Sequence, residues 1–157
     1  MSARSGIVKA ISEKIAELFI GDGDYMSNLH GNVSNRVKHF SDVEDFPFIS
    51  VTPGAEIRED LPSDFTWATL TVNITLYVKS EENSQEELES LITDVENFLD
   101  THLQLPYNVN TSEGVITSKI TNSTLVSINT DEGILDPMAL GQLVVNVQYE
   151  KVRRTRT

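Results

Sequence analysis

The chain of 157 residues contains no cysteine. This absence excludes disulfide bonds, thiolate metal sites and a cysteine nucleophile, and it fits a reducing compartment. Positive charge is also scarce, because 12 Lys and Arg stand against 24 Asp and Glu and leave a net charge of −12. A general nucleic-acid binder needs a basic surface, so this charge balance argues against that class of protein.

Long hydrophobic runs and glycine-rich motifs are absent as well. The apolar runs Ala139–Leu140 and Leu143–Val145 are far shorter than a membrane span, and Met1–Gly6 lacks the apolar core of a signal peptide. The eight glycines form no phosphate-binding loop. A hydrophobic content of 39% still suffices for a core, so we predict one soluble domain over residues 1–157.

The sequence offers little for chemistry. His30, His39 and His102 are not spaced as metal ligands on a helix. Close acidic pairs carry no catalytic signal in so acidic a chain. We therefore predict no catalytic residue, no cofactor and no metal site. A small-ligand-binding domain or a carboxylate enzyme is the alternative from another class, and it would require an enclosed pocket with perturbed carboxylates.

Two amphipathic helices are predicted. The first runs from Ser5 to Ile20 and ends at Gly21, with its apolar residues recurring at helical spacing. The second covers Gln85–Leu99, and Ser84 with Glu87 forms a capping box at its start. Its apolar stripe contains Leu88, Leu91, Ile92, Val95, Phe98 and Leu99.

The other regular segments resemble strands, namely Arg36–Phe40, Phe48–Thr52, Trp67–Val78, Val115–Thr121, Thr124–Thr130 and Leu140–Val152. Two helices and five or six strands predict an α+β fold, in which a mixed or antiparallel sheet is covered on one face by both helices. Pro53–Thr66 and Asp131–Pro137 are predicted to be long loops, and such loops are often functional.

The Trp67–Val78 strand alternates between apolar residues and an uncharged polar face made by Thr69, Thr71, Asn73 and Thr75. This polar face is either exposed to solvent or meets another subunit. A long strand without inward charge or proline is poorly protected against edge pairing, which favours an oligomer built partly through strand contacts.

Charge is unevenly distributed along the chain. No Lys or Arg occurs at positions 80–118, whereas four cations crowd the C-terminal residues 151–157: Lys151, Arg153, Arg154 and Arg156. The simplest interpretation is an acidic solvated helix followed by a mobile basic tail. The alternative is a basic tail that docks on an acidic neighbour. An acidic nucleic-acid mimic is compatible with the cation-free stretch, but the amphipathic helix explains the acids more simply.

Several stretches of the sequence together resemble the tail terminator, or tail completion, proteins of long-tailed non-contractile bacteriophages, most closely those of T-five-like siphophages. These stretches are Asn28–Ser34, Phe46–Val51, Leu61-Pro62-Ser63 with Trp67, Ser127–Tyr149, and the basic Arg153-Arg154. The resemblance covers nearly the whole chain, is weakest at Leu103–Asn122, and includes no catalytic signature.

The resemblance implies a virion protein made in the host cytoplasm. Its copies, which can be monomers in solution, would close into a homohexameric ring at the head-proximal end of the tail tube. The ring would stop tube growth and offer a surface to head-completion or neck proteins, while DNA passes through the lumen. It implies no enzyme activity and no membrane partner. A head-closure or neck ring protein is the nearest alternative.

Two groups of residues are candidate contacts for such an assembly. The first is the charged set in the predicted loop Pro53–Thr66, which would contact the tube or the lumen: Glu56, Arg58, Glu59, Asp60 and Asp64. The second is the basic tail, which would contact a neighbouring subunit or the next ring: Lys151, Arg153, Arg154 and Arg156.

Overall fold

The computed structural model describes residues 2–36, 38–62 and 65–152. The elements in chain order are α1 (Ala3–Leu18), β1 (Val33–Ser34), a 3-10 turn (Phe40–Asp42), β2 (Phe48–Asp60), β3 (Phe65–Lys79), α2 (Ser84–Thr101), β4 (Pro106–Thr111), β5 (Gly114–Lys119), β6 (Asn122–Thr130) and β7 (Met138–Val152). Five strands form a mixed sheet in the order β1-β2-β3-β7-β6, and β4 and β5 form a separate hairpin. The predicted α+β class is therefore confirmed.

β3 is the centre of the sheet. It pairs antiparallel with β7 over its whole length, from Phe65 opposite Val152 to Lys79 opposite Met138. On its other side it pairs antiparallel with β2, and β6 extends the sheet beyond β7. Among the strands of the described residues, only the two-residue β1 is parallel to its neighbour. Because β3 is paired with a neighbouring strand on both sides, it fixes the register of the other long strands.

The core lies between one face of the sheet and the two helices. As the alternation predicts, this face receives the buried side chains at alternate positions of β3 from Ala68 to Val78, and the corresponding residues of β7 join them. The helices contribute their apolar stripes, including Ile7, Ile11, Ile15, Leu88, Leu91, Val95 and Phe98. Burying one such side chain contributes about 1.5–3 kcal/mol, so this single layer provides most of the apolar driving force.

A smaller cluster covers one end of the opposite face. Val43 and Phe48 pack there with Tyr77, and the Phe48 and Tyr77 rings lie 5.6 Å apart.

The predicted strand Arg36–Phe40 is wrong in the residues described. The Arg36 carbonyl accepts from the Ser50 hydroxyl at 2.5 Å, and the Lys38 amide donates to the Tyr77 hydroxyl at 3.3 Å. These two backbone groups are hydrogen-bonded to side chains and do not form a strand ladder.

The predicted loop Pro53–Thr66 is also wrong, because most of it is strand. β2 continues to Asp60 after a bulge between Pro53 and Glu56, where the register with β3 shifts. The bulge accommodates a proline, which has no amide hydrogen for a ladder, together with Gly54. Proline and glycine usually end a strand, but Pro53 and Gly54 only bend β2 at this point, which is why the sequence predicts a loop here.

The helix boundaries differ from the predicted ones. α1 starts earlier and ends at Leu18, because Ile20 enters a bridge with Asn28. The predicted capping box of α2 does not form. Asn83 occupies the cap position, and the buried Ser84 hydroxyl donates to Asp136 at 2.9 Å instead. β4 was not predicted, because its segment Pro106–Thr111 shows only weak alternation.

Two carboxylates hold the connections in place. Asp94 on α2 is buried and accepts from the amides of Met26 and Ser27 at 3.0 and 2.8 Å, which fastens the segment after α1 onto α2. Asp131 accepts from the amides of Leu135 and Leu140 at 3.0 and 3.1 Å. Burial opposes the charge of Asp131, but these amides outweigh it and lower its pKa. The predicted loop Asp131–Pro137 is thus a turn ordered by its first residue.

Gly6 marks the closest approach between α1 and the β4–β5 hairpin. It is buried in the helix, and a Cβ atom at this position would lie 2.1 Å from the backbone oxygen of Asn108. A real side chain cannot occupy that space unless β4 moves away. Glycine is therefore kept inside a helix where it is otherwise unfavourable.

We predict that Gly6→Ala destabilises the protein by about 1–3 kcal/mol through this overlap. Helix propensity alone predicts the opposite sign, a gain of about 1 kcal/mol. Chemical denaturation of the variant measures the difference. Ser12→Ala, at a half-buried position of the same helix, is the control and should change stability by only a few tenths of a kcal/mol. A Gly6→Ala protein as stable as the parent would contradict the packing described.

Candidate assembly surface

The charged residues of the predicted loop lie at the closed end of the β2–β3 hairpin. We call this region the hairpin end and define it as Glu56–Asp60 and Phe65–Thr69. Asp60 is opposite Thr66 and Glu59 is opposite Trp67, so both strands run in regular register up to the connection. The predicted contact residue Asp64 lies outside the described residues.

Glu56 points inward and serves as an anchor. Its side chain is only 6% exposed, accepts from the Tyr149 hydroxyl at 2.5 Å and is bonded to Arg58 Nε at 2.6 Å. Burial opposes the charge of this carboxylate, but the hydrogen bonds from Tyr149 and Arg58 lower its pKa overall. Burial, followed by the bond to Glu56, raises the pKa of Tyr149. Glu56 thus ties β2 to β7 across the intervening strand.

Glu59 and Asp60 remain exposed at the hairpin end. Glu59 shares the face of Trp67, whereas Asp60 accepts from the Thr66 hydroxyl at 2.8 Å. Arg58 is about half exposed, with 47% of its side chain accessible, although its guanidinium is bonded to Glu56. Of the four described residues predicted for this contact, Glu59 and Asp60 therefore present the most available charges.

The base of the C-terminal segment lies at the same end of the sheet. Lys151 is exposed on β7 and is opposite Thr66, which is itself opposite Asp60 on β2. The structure thus brings one member of each predicted contact group into a single row across three strands. The other members of the basic group, Arg153, Arg154 and Arg156, lie outside the described residues.

The open face of the sheet carries no charge across its middle. The four polar residues of β3 recognised in the sequence are joined on β7 by Gln142, Val144, Asn146 and Gln148, and on β6 by Asn122, Thr124, Ser127 and Asn129. The sequence analysis missed the β7 and β6 contributions, although the alternation of Leu140–Val152 contains the signal. On the strands of this face, charged residues lie toward the ends, with Glu59 and Glu150 near the hairpin end and Lys79 at the opposite end.

A cleft of about 420 Å³ lies beside the hairpin end and is lined by Arg4, Arg58, Tyr107, Ile116 and Lys151, among others. Within residues 2–36, 38–62 and 65–152, no group of three His, Asp or Glu side chains is arranged to hold a metal ion. Neither helix in that part of the chain is long and apolar enough to cross a bilayer.

Comparison with known proteins gives consistent results. The family model described as Bacteriophage Tail Tube Terminator Protein matches residues 1–157. The tail tube terminator protein p142 of Escherichia phage T5 is 34% identical over 99% of this chain and 98% of its own length. A chain in the virion of a native gene transfer agent particle shares the fold, with a TM-score of 0.54, 11% identity and 96% of each chain covered.

The full-length match to the family model and the identity to the T5 protein agree with the resemblance carried by the sequence motifs. The proteins concerned are structural components of the phage tail, which places this chain in the virion. The chain belongs to the family of bacteriophage tail tube terminator proteins.

Proposed function

We propose that six copies of the chain close into a ring on the head-proximal end of the tail tube. The ring ends tube growth and presents its other face to a head-completion or neck protein, without catalysing a reaction. The observation that carries this proposal is the match to the tail tube terminator family over the whole chain. A closed ring needs two different patches that fit each other, and the sheet has two dissimilar edges to supply them.

The charge of the chain supports passage of DNA through such a ring. A net charge of −12 for each chain gives about −72 for six copies. Like charges repel, so phosphate binds weakly to a surface of this sign, and DNA can move past it without being held. A basic lumen would bind the polyanion and slow its exit.

The hairpin end is our candidate for the contact with the tube or the lumen. Its exposed carboxylates, Glu59 and Asp60, sit on a strand pair that the Glu56–Tyr149 bond holds to β7. A contact built on a fixed strand pair keeps its geometry better than one on a free loop. Glu56 contributes by holding that position, and Arg58 contributes through its link to Glu56.

The capping function is tested by adding purified protein to growing tail tubes. We expect tubes to stop at the length present when the protein is added, with a ring visible at one end by negative-stain electron microscopy. A neck or head-closure protein would instead bind filled heads and leave tube growth unchanged. Tubes that continue to grow in excess protein would overturn the proposal.

The double variant Glu59→Lys/Asp60→Lys tests the role of the hairpin end in the same assay. We expect at least a tenfold higher protein concentration to be needed for capping, while the melting temperature stays within a few degrees of the parent. Glu86→Lys/Glu89→Lys on the exposed side of α2 makes the same change in net charge elsewhere and is the matched control. Equal capping by both variants would show that the hairpin end is not the contact.

The basic C-terminal segment is our candidate for an inter-subunit or inter-ring contact, and Lys151 is its described member. Removing residues 153–157 should weaken ring closure or head joining, and the difference from the parent should shrink as ionic strength rises, because salt screens the charges through which the parent's segment would act. The control keeps the length and replaces Arg153, Arg154 and Arg156 with Gln. If the Gln variant assembles like the parent while the truncation fails, the segment acts through its length and not its charge.

A further inference from the structure

We infer that the outer edge of β6 pairs with the free part of β2 in a second copy of the chain, so that the sheets of neighbouring subunits join edge to edge. This inference rests on the proposed ring and specifies the contact between its subunits. It predicts an antiparallel strand pairing between the segment Asn122–Thr130 of one copy and the segment Glu56–Asp60 of the next.

The outer edge of β6 is an unusually unprotected strand edge. β7 pairs with one side of β6, and no strand pairs with the other side within the described part of the chain. The nine residues of β6 include no charge and no proline, and Val126 and Ile128 are 54% and 40% exposed. Proteins that stay monomeric usually block such an edge with charges, prolines or a covering element. The absence of these devices on β6 indicates that a strand of another chain covers it.

The opposite edge of the sheet is open only near the hairpin end. β1 pairs with Ile49 and Ser50, and the bulge after Pro53 interrupts the middle of β2. The carbonyl of Gly54 in this bulge already accepts from Arg4 at 2.6 Å. Beyond the bulge, Glu56–Asp60 is in continuous register with β3 and has no strand on its outer side among the residues described. This segment is charged, but Glu56 is turned inward and bonded to Arg58, and the β6 edge that it would meet has no charge to repel it. Ile57 within this segment is 75% exposed.

The strand directions suit pairing between these two edges. β2, β3, β7 and β6 are each antiparallel to the next, so β6 and β2 run in opposite directions within one sheet. A neighbour in the same orientation about a ring axis then brings its β6 antiparallel to β2, which is the better-bonded arrangement. The two edges differ, so each copy uses one edge on each side and the contact can close a ring.

The levels of the two segments also define the offset between subunits. β6 lies beside Gly141–Gln148 of β7, which is the level of Thr69–Leu76 on β3. Glu56–Asp60 lies beside Thr66–Leu70, toward the end of the sheet. Pairing therefore requires a shift of the neighbour along the strand direction. A sheet that closes on itself with tilted strands has a stagger of this kind.

Engineered cysteines test the pairing cleanly, because the natural chain has none. Ile57→Cys is combined in turn with Thr124→Cys, Val126→Cys or Ile128→Cys, and the protein is oxidised both on capped tubes and in concentrated free solution. We expect at least one combination to give disulfide-linked oligomers of up to six chains, since paired strands bring Cα atoms within disulfide range. Ile57→Cys with Val115→Cys on the exposed β5 is the matched control and should stay uncrosslinked.

The outcomes separate this inference from the proposed function. If the parent caps tubes but no β6 position crosslinks to Ile57→Cys, the edge pairing is wrong and the capping role stands. If the parent does not cap tubes, the function fails, and the free-solution crosslinks still decide the pairing. Crosslinking of the Val115→Cys control to the same extent would also overturn the pairing.

A charge placed on the β6 edge supplies a second test that does not depend on disulfide geometry. Val126→Lys/Ile128→Lys should abolish the oligomers crosslinked through Ile57→Cys and Thr124→Cys, and without the cysteines it should raise the concentration needed for capping at least tenfold, while the monomer keeps its cooperative melt. Ile134→Lys, at an exposed turn position, is the control. Normal rings and normal capping by the double variant would contradict the inference.

Discussion

The structure depends on the pairing of β3 along both sides and on the packing of helices against only one of its faces. Along the middle of β3, from Ala68 to Leu76, the apolar residues point to α1 and α2, and the polar residues point the other way. A single layer of helices is therefore enough to bury the apolar face of the sheet. This arrangement also leaves the middle of the open sheet face uncharged and the outer side of β6 without a strand beside it in the described part of the chain.

The candidate assembly surface follows from that arrangement. The Glu56–Tyr149 hydrogen bond ties the outer strand to β7, so the charges of the hairpin end are held on a rigid strand pair. The acids of α2 and the scarcity of cations give the chain its negative field, whereas the middle of the open sheet face is uncharged. In the proposed ring, this charge would leave DNA unbound, and shape together with backbone pairing would select the partners.

Much of the fold is predictable from the sequence, because period-two and period-3.6 patterns report burial directly. The alternation of β3 and β7 and the apolar stripe of α2 are therefore found at nearly the observed positions. The errors come from tertiary bonds that no local pattern encodes. The Ser84 hydroxyl donates to Asp136 and does not cap α2, and the Arg36 carbonyl accepts from the Ser50 hydroxyl and joins no strand ladder. The inward orientation of Glu56 could not be predicted from the sequence either, because its partner Tyr149 is 93 residues away along the chain.

The central claim is that this chain is a structural collar that ends the tail tube and connects it to the head. Electron microscopy of particles made with and without the protein tests this claim most directly, through the distribution of tail lengths and the fraction of tails joined to heads. The account predicts overlong or ragged tails that are not joined to heads when the protein is missing. Tails of normal length attached to capsids in its absence would contradict the account.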